Sequence, residues 1–242
     1  MFANFFWGSS NGSKSTHWAS WKKLCLPIEE GGVGFKSLKD VATTFDIKLW
    51  WRFRSEPSLL SDFLHTKYLK GQHPAVASLT HLSSPLWRRL LRARDKAEGY
   101  IFFGLGRGDI NFWFDQWLPM GPISAHAPIH QPNLSVHELW IGQHWNVNLL
   151  KTLIPTDLLN AILPLRVDPT KQDCPCWKLT SDGRFSVAST REVVRPGRPK
   201  SDVARIFWNK FIPTKISFFT WRALRSFIHT EDKQASWGLY MV

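Results

Sequence analysis

From Asp202 to Gly238 the chain reads DVARIFWNKFIPTKISFFTWRALRSFIHTEDKQASWG. Trp208, Phe211, Phe218, Phe219, Trp221 and Phe227 are interleaved there with Arg205, Lys210, Lys215, Arg222 and Arg225. Proline lacks a backbone N–H and disfavours helix in the residue before it. Pro213 therefore ends one helix near Lys210 or Phe211, and a second begins at Thr214. Within the second, Ile216, Phe219, Ala223 and Phe227 recur at a spacing near 3.6 and form one apolar face. Phe218, Trp221, Leu224 and Ile228 form another, leaving mainly Lys215, Arg222 and Arg225 polar. A helix apolar around most of its girth is usually buried, so this pair is expected to be core.

The 242-residue chain suits one or two domains. Its 14 Trp and 17 Phe offer large burial per residue, and also flat faces on which bases can stack. The net charge of +12 is uneven. Residues 1–118 hold 16 basic and 10 acidic groups, 119–173 hold 3 and 4, and 174–242 hold 12 and 5. Two basic flanks thus surround a near-neutral middle, which suits a polyanion such as nucleic acid, although a solvated basic surface gives the same count. Three Cys make no disulfide framework, and the start lacks the pattern of a signal peptide. No apolar run approaches the length of a membrane span. An intracellular location, the nucleus included, is expected.

The expected architecture is α+β: mostly short helices with two small antiparallel β-hairpins. THWASWKKLCLP reads as a short helix stopped before Pro27, and EEGGVG (Glu29–Gly34) as a glycine turn. Ser37 caps a helix with Leu38, Val41, Ala42, Phe45, Leu49 and Phe53 on one face. Another helix runs from Ser58 to Lys70 and ends at Gly71. Ser84-Pro85 opens a third, with Leu86, Leu90 and Leu91 inward and Arg88, Arg89, Arg92, Arg94 and Lys96 largely outward. Tyr100–Trp117, YIFFGLGRGDINFWFDQW, reads as a hairpin turning at Gly104-x-Gly106-x-Gly108. A strand rather than a helix follows those glycines, which disfavours a nucleotide loop. Short helical pieces are expected at Ser135–Trp140, Asn148–Ile154 and Thr156–Leu163. Asp182-Gly183 turns a second hairpin in WKLTSDGRFSVAS, Arg191–Lys200 is a basic loop, and Thr230 caps a last helix.

No convergent catalytic set emerges. Cys174-Pro-Cys176 is the only cysteine pair and a poor zinc half-site beside C-x-x-C. His126 and His130 in a Pro-rich loop are the remaining donors to consider, so an incidental pair is the better reading. His65, His73 and His81 recur every eight residues, which matches no metal-binding helix face. Asp109 and Asp115 have no third carboxylate for two-metal chemistry and are read as local turn and strand-end acceptors. Trp18, Trp21, Trp113, Trp117, Trp208 and Trp221 are read mainly as core, with one or two exposed platforms among all the Trp.

Three stretches in order carry a resemblance. W-K-L-T-x-D-G-x-F-S-V is followed by F-W-N-K-x-I-P-x-K-I-S-F-F-x-W-R-A-L and then H-T-E-D. This order resembles the reverse transcriptase zinc-binding domain of plant LINE-type (non-LTR) retrotransposon polyproteins. FFWGSSNGSKSTHWASWKKLCLPIEEGGVGFKSL and GRGDINFWFDQWLP are similar to segments after the polymerase core of those proteins. The resemblance implies a post-polymerase region over 1–168 and part of the zinc-binding domain over 169–242, stopping before the zinc ligands. It further implies a non-catalytic fragment with no cofactor, no membrane and no small-molecule substrate, whose partner is RNA or DNA. The expected phosphate contacts are Arg88, Arg89, Arg92, Arg94 and Lys96. Arg191, Arg195, Arg198, Lys200, Lys210, Lys215, Arg222 and Arg225 join them. A pseudogene-like remnant without activity of its own is the alternative.

Overall fold

The structure, a computed structural model, describes residues 6–7, 18–195, 197–201 and 206–228. Arg205, Thr230 and the helix expected after Thr230 lie outside the described residues. Packing forms two units, 42–194 and the paired stretches 1–41 and 195–242. Pro169 lies inside the first of them.

The unit 42–194 is built on helix α2 (Leu38–Ser55), numbered after α1 (Trp21–Leu24). Ser37 accepts the Asp40 N–H at 3.3 Å, so the expected cap is present. Of the expected inward face, Phe53 alone is fully buried. Thr44, Ile47, Trp50, Trp51 and Phe53 are buried, whereas Leu38 and Phe45 are exposed. Bulk decides the register: two adjacent indoles and Phe53 bury more apolar area than Leu38 and Phe45 would. Helix α3 (Leu59–Leu64) is capped by Ser58 and runs into a π-helical turn, His65–Leu69. Lys70 and Gly71 end it with positive φ. Helix α4 (Pro85–Ala97) starts where Ser84-Pro85 predicts, with Ser84 Oγ accepting from the Trp87 N–H at 3.2 Å.

Two small antiparallel two-stranded sheets give the α+β class its β part. Their positions correct the expected hairpins. Strand β1 (Ile101–Gly104) does not fold back on Ile110–Phe114. It pairs with β4 (Cys174–Trp177), Ile101 opposite Trp177 and Gly104 opposite Cys174. Residues 110–114 form turns with one bridge, Asn111 to Ser135, because Asn111 Oδ1 accepts the Trp113 and Phe114 N–H groups. The tight hairpin is instead β2 (Trp140–Ile141) with β3 (His144–Trp145), turning at Gly142 with positive φ. Asp182-Gly183 does turn the chain, and Gly183 O accepts the Trp177 N–H at 2.7 Å. No second strand follows. Ser186 instead opens helix α7 (Val187–Val194), its carbonyl accepting from the Thr190 N–H, so Arg191 is helical and not in a loop.

Helices α5 (Val147–Leu153) and α6 (Thr156–Ile162) fall where Pro155 separates them, and His137–Leu139 is one 3-10 turn. The core of this unit is dominated by indoles. Trp50, Trp87, Trp113 and Trp177 are each at most 1% exposed, with Phe112, Leu90 and Ile101 among them.

The other unit has a smaller core of Ala19, Leu24, Phe207 and Trp221, flanked by Phe6, Phe35, Trp208 and Phe218. Helix α8 (Thr214–Leu224) begins where Pro213 predicts, but it ends short of Ile228. Its orientation corrects the sequence reading: Ser217 and Trp221 are buried, while Ile216, Phe219 and Leu224 are exposed. Polar handles select the inward side. Trp221 Nε1 donates to Gly31 O at 2.9 Å, and Ser217 Oγ donates to Phe207 O at 2.6 Å.

Candidate nucleic-acid interface

Helix α4 holds the densest basic run. Burial of Trp87, Leu90, Leu91, Ala93 and Ala97 fixes its orientation and turns Arg88, Arg89, Arg92 and Lys96 to solvent. Their neighbours then divide them. Arg89 is bound to Asp46, and Arg88 Nε donates to Ser83 O at 3.1 Å. Arg94 is half-buried, holding Asp95 and donating to Ala77 O. Arg92 and Lys96 make no ion pair among the described residues. Arg191 on α7 lies 4.0 Å from its neighbour Glu192.

In the other unit Arg195 is bound to Glu30, itself 6% exposed, and the Arg198 N–H donates to the same carboxylate. Lys200 Nζ lies 3.2 Å from Glu29. The expected basic loop is therefore tied at two points to carboxylates. Residues 206–228 differ: they carry Lys210, Lys215, Arg222 and Arg225 and no acidic residue. Lys210 and Lys215 are exposed. Arg222 stacks on Trp18, its guanidinium carbon 3.7 Å from the ring centroid, and burial pushes its pKa down. Arg225 donates to Glu30 O at 3.4 Å and lies over Gly31, where a Cβ would collide with it.

The glycine loop is an anion cradle already filled from within the chain. Asp173 accepts the N–H groups of Gly106 at 2.7 Å, Gly108 at 3.0 Å and Asp109 at 2.6 Å. Converging backbone amides of this kind suit a phosphate, but here a carboxylate takes the place. The structure thus supports reading the glycines as a turn, and supplies a reason that spacing alone could not.

The two aspartates weighed for metal chemistry are engaged separately. Asp109 is bound to Arg107 at the surface. Asp115 is buried and accepts from Arg54, from His73 Nε2 at 3.1 Å and from the Asn111 N–H at 2.7 Å. The Ala75 N–H donates to His73 Nδ1, which leaves the proton on Nε2 for Asp115. Burial alone would raise the Asp115 carboxyl, but the His73 hydrogen bond and the Arg54 charge outweigh it and hold it far below the ordinary range. Arg54 also donates to Glu98 at 3.0 Å, and Trp50 Nε1 donates to Glu98 at 2.6 Å. Reading Asp115 as a local acceptor captured the Asn111 contact and missed this network, whose partners lie 42 to 61 residues away.

Against known proteins, residues 185–242 match the family described as zinc-binding in reverse transcriptase. Over 95% of its length the chain is also 28% identical to an Arabidopsis thaliana protein named "Putative ribonuclease H protein". It spans 40% of that relative's length. No solved structure matches. The two matches support a retrotransposon-related protein, in line with the motif order.

The family's name implies zinc, and the donor set can be tested. Residues 185–242 contain no cysteine and a single histidine, His229, which lies outside the described residues. A structural zinc takes four Cys or His ligands, so these residues do not close such a site. Cys174 and Cys176 lie before the matched segment. Burial and the neighbouring Cys174 push the Cys176 thiol up. Among the described residues no three His, Cys, Asp or Glu side chains gather as a metal set. Nor is any helix there long and apolar enough to cross a membrane.

Proposed function

We propose that this chain is a non-catalytic, RNA- or DNA-binding part of a LINE-type retrotransposon reverse transcriptase protein, with 1–168 and 169–242 as its two family segments. One observation carries the reading: within the family-matched region, residues 206–228 present four cations and no carboxylate. Arg92 and Lys96 on α4 offer a second, smaller basic face. Phosphates are the polyanion that a reverse-transcriptase relative meets, and cations unneutralised by neighbours are those that release counterions on binding. The absence of catalysis is part of the proposal. Asp109 and Asp115 are each held by an arginine, and among the described residues they do not converge on a common point with a third acid. An intracellular site of action follows from the same reading.

The experiment is a binding titration of the purified chain with end-labelled RNA and DNA at about 50 mM salt, repeated at higher salt. Binding that weakens linearly in log–log form supports the reading. No detectable binding to either nucleic acid at low salt would remove it.

A further inference from the structure

Among the described residues no tryptophan is exposed: eight are buried and the rest half-buried. Stacking surface for bases is therefore not where tryptophan content suggests. Exposed phenylalanines offer it instead: Phe45 and Phe63 in 42–194, and the two most open, Phe211 and Phe219, in the acid-free stretch 206–228. Phe211, in the turn before α8, is 79% exposed, and Phe219, on α8, is 61% exposed. Single exposed apolar residues are ordinary, so what singles these two rings out is the acid-free, cationic stretch that carries them.

Helical spacing places Lys215 four residues before Phe219 and Ile216 three before it, so all three share the outer face of α8. Lys215 and Ile216 are exposed too. Lys210 lies over the Phe211 ring, 5.0 Å from its centroid. Each exposed ring thus has a lysine beside it, and no acidic residue occurs anywhere in 206–228 to repel a phosphate. An apolar partner protein would need no cations there, and a duplex would offer phosphates but keep its bases stacked inside. Open rings flanked by cations fit unpaired bases joined by phosphates.

We propose that Phe211 and Phe219 are stacking platforms for a single-stranded polynucleotide whose phosphates are held by Lys210 and Lys215. This rests on the nucleic-acid reading above and narrows it to single strands. Stacking on a phenyl ring does not read the sugar, so RNA and DNA strands bind alike.

The test uses the full chain with labelled oligo-U, oligo-dT and a duplex, each about 20 units long so that a typical site of about 4–16 nucleotides fits. The F211A/F219A variant is expected to lose about tenfold or more in affinity for both single strands, with duplex binding within about twofold and the salt slope unchanged. The F211W/F219W variant keeps or tightens single-strand binding. K210Q/K215Q weakens all three probes and reduces the salt slope by about 1.4 on the single strands and about 1.8 on the duplex. Single-strand binding untouched by F211A/F219A, or an equal loss on the duplex, overturns the proposal while leaving general nucleic-acid binding intact. A dimer in light scattering that these alanines dissociate also overturns it, because a second copy would then cover the rings. If the unaltered chain binds none of the three probes, this inference falls together with the wider reading.

Discussion

The unit 42–194 and the helix Thr214–Leu224 are both rich in aromatic residues, yet they use them in opposite ways. In the first, Trp50, Trp87, Trp113 and Trp177 are sealed in the core, and the buried Arg54 is matched by Asp115 and Glu98. In the second, Trp221 is sealed while Phe219, two residues away, is open, and the neighbouring cations have no acids in their own stretch. Aromatic content alone does not predict burial. A donor fixes some of the sealed rings, although Phe112 is sealed without one. Trp50 gives its N–H to Glu98 and Trp221 to Gly31 O, whereas Phe219 has nothing to give. Electrostatics follows the same division, since a charge can be buried only where an opposite charge is buried beside it.

The largest effect expected is at the buried ion network. Arg54→Ala strands two carboxylates, Asp115 and Glu98, and is expected to cost about 3–5 kcal/mol in denaturant unfolding. Lys215→Ala, a cation lost from the other region, should stay within about 0.5 kcal/mol. Equal costs would abolish the contrast between paired and open charge. The network also fixes a pH dependence. Asp115 has a depressed folded-state pKa, so its contribution is fully present above the unfolded value of about 4 and is lost as pH falls from there towards the folded value. Thermal melts should show stability draining below about pH 4 in the parent and a shallower slope in Asp115→Asn.

Next comes the glycine loop. A Cβ on Gly106 would meet the Gln172 carbonyl carbon and oxygen at 2.5 Å, and both are backbone atoms that cannot swing away. Gly106→Ala is expected to destabilise by about 1–3 kcal/mol through overpacking. An unchanged midpoint would mean that the loop and the Asp173 carboxylate do not sit as tightly as the hydrogen bonds indicate. Ser84→Ala, which removes the α4 cap, should cost about 1 kcal/mol in the same measurement.

How much of this was legible depended on the reach of the interaction. Ser84-Pro85, Ser58, Pro155 and Pro213 set helix starts through contacts of three or four residues, and all four boundaries were readable. Strand partners were not. The hairpin signals at Gly104–Gly108 and Asp182-Gly183 are real turns. However, β1 found β4 some seventy residues on, and nothing local in Ile101–Gly104 distinguishes that partner from a nearer one. The family motifs supplied an order of segments rather than a pairing. The candidate basic residues were readable as positions and not as a surface. Asp46, Glu29 and Glu30 neutralise Arg89, Lys200 and Arg195 from distant parts of the sequence, and only folding shows which cations stay open. The outward face of α8 escaped the apolar periodicity because two faces of that helix are apolar. The choice between them rested on one indole N–H and one hydroxyl.

That choice gives the smallest expected effect and the finest test of the contrast. Phe218 and Phe219 are the same residue at adjacent positions of α8. Phe218 is half-buried, edge-on to Trp208 at 5.2 Å and to Trp221 at 6.4 Å, whereas Phe219 is open. Phe219→Ala removes a ring that already meets water, so stability should move by no more than about 0.5 kcal/mol. Phe218→Ala removes packing from the smaller core and should lower the denaturation midpoint clearly more. If Phe219→Ala cost as much as Phe218→Ala, the outer face would be packed in solution. Phe219 would then be core like the indoles of 42–194, and no ring on α8 would remain open to a base. If it costs nothing, the ring is held open without a structural reason, and the fold has left it free to bind.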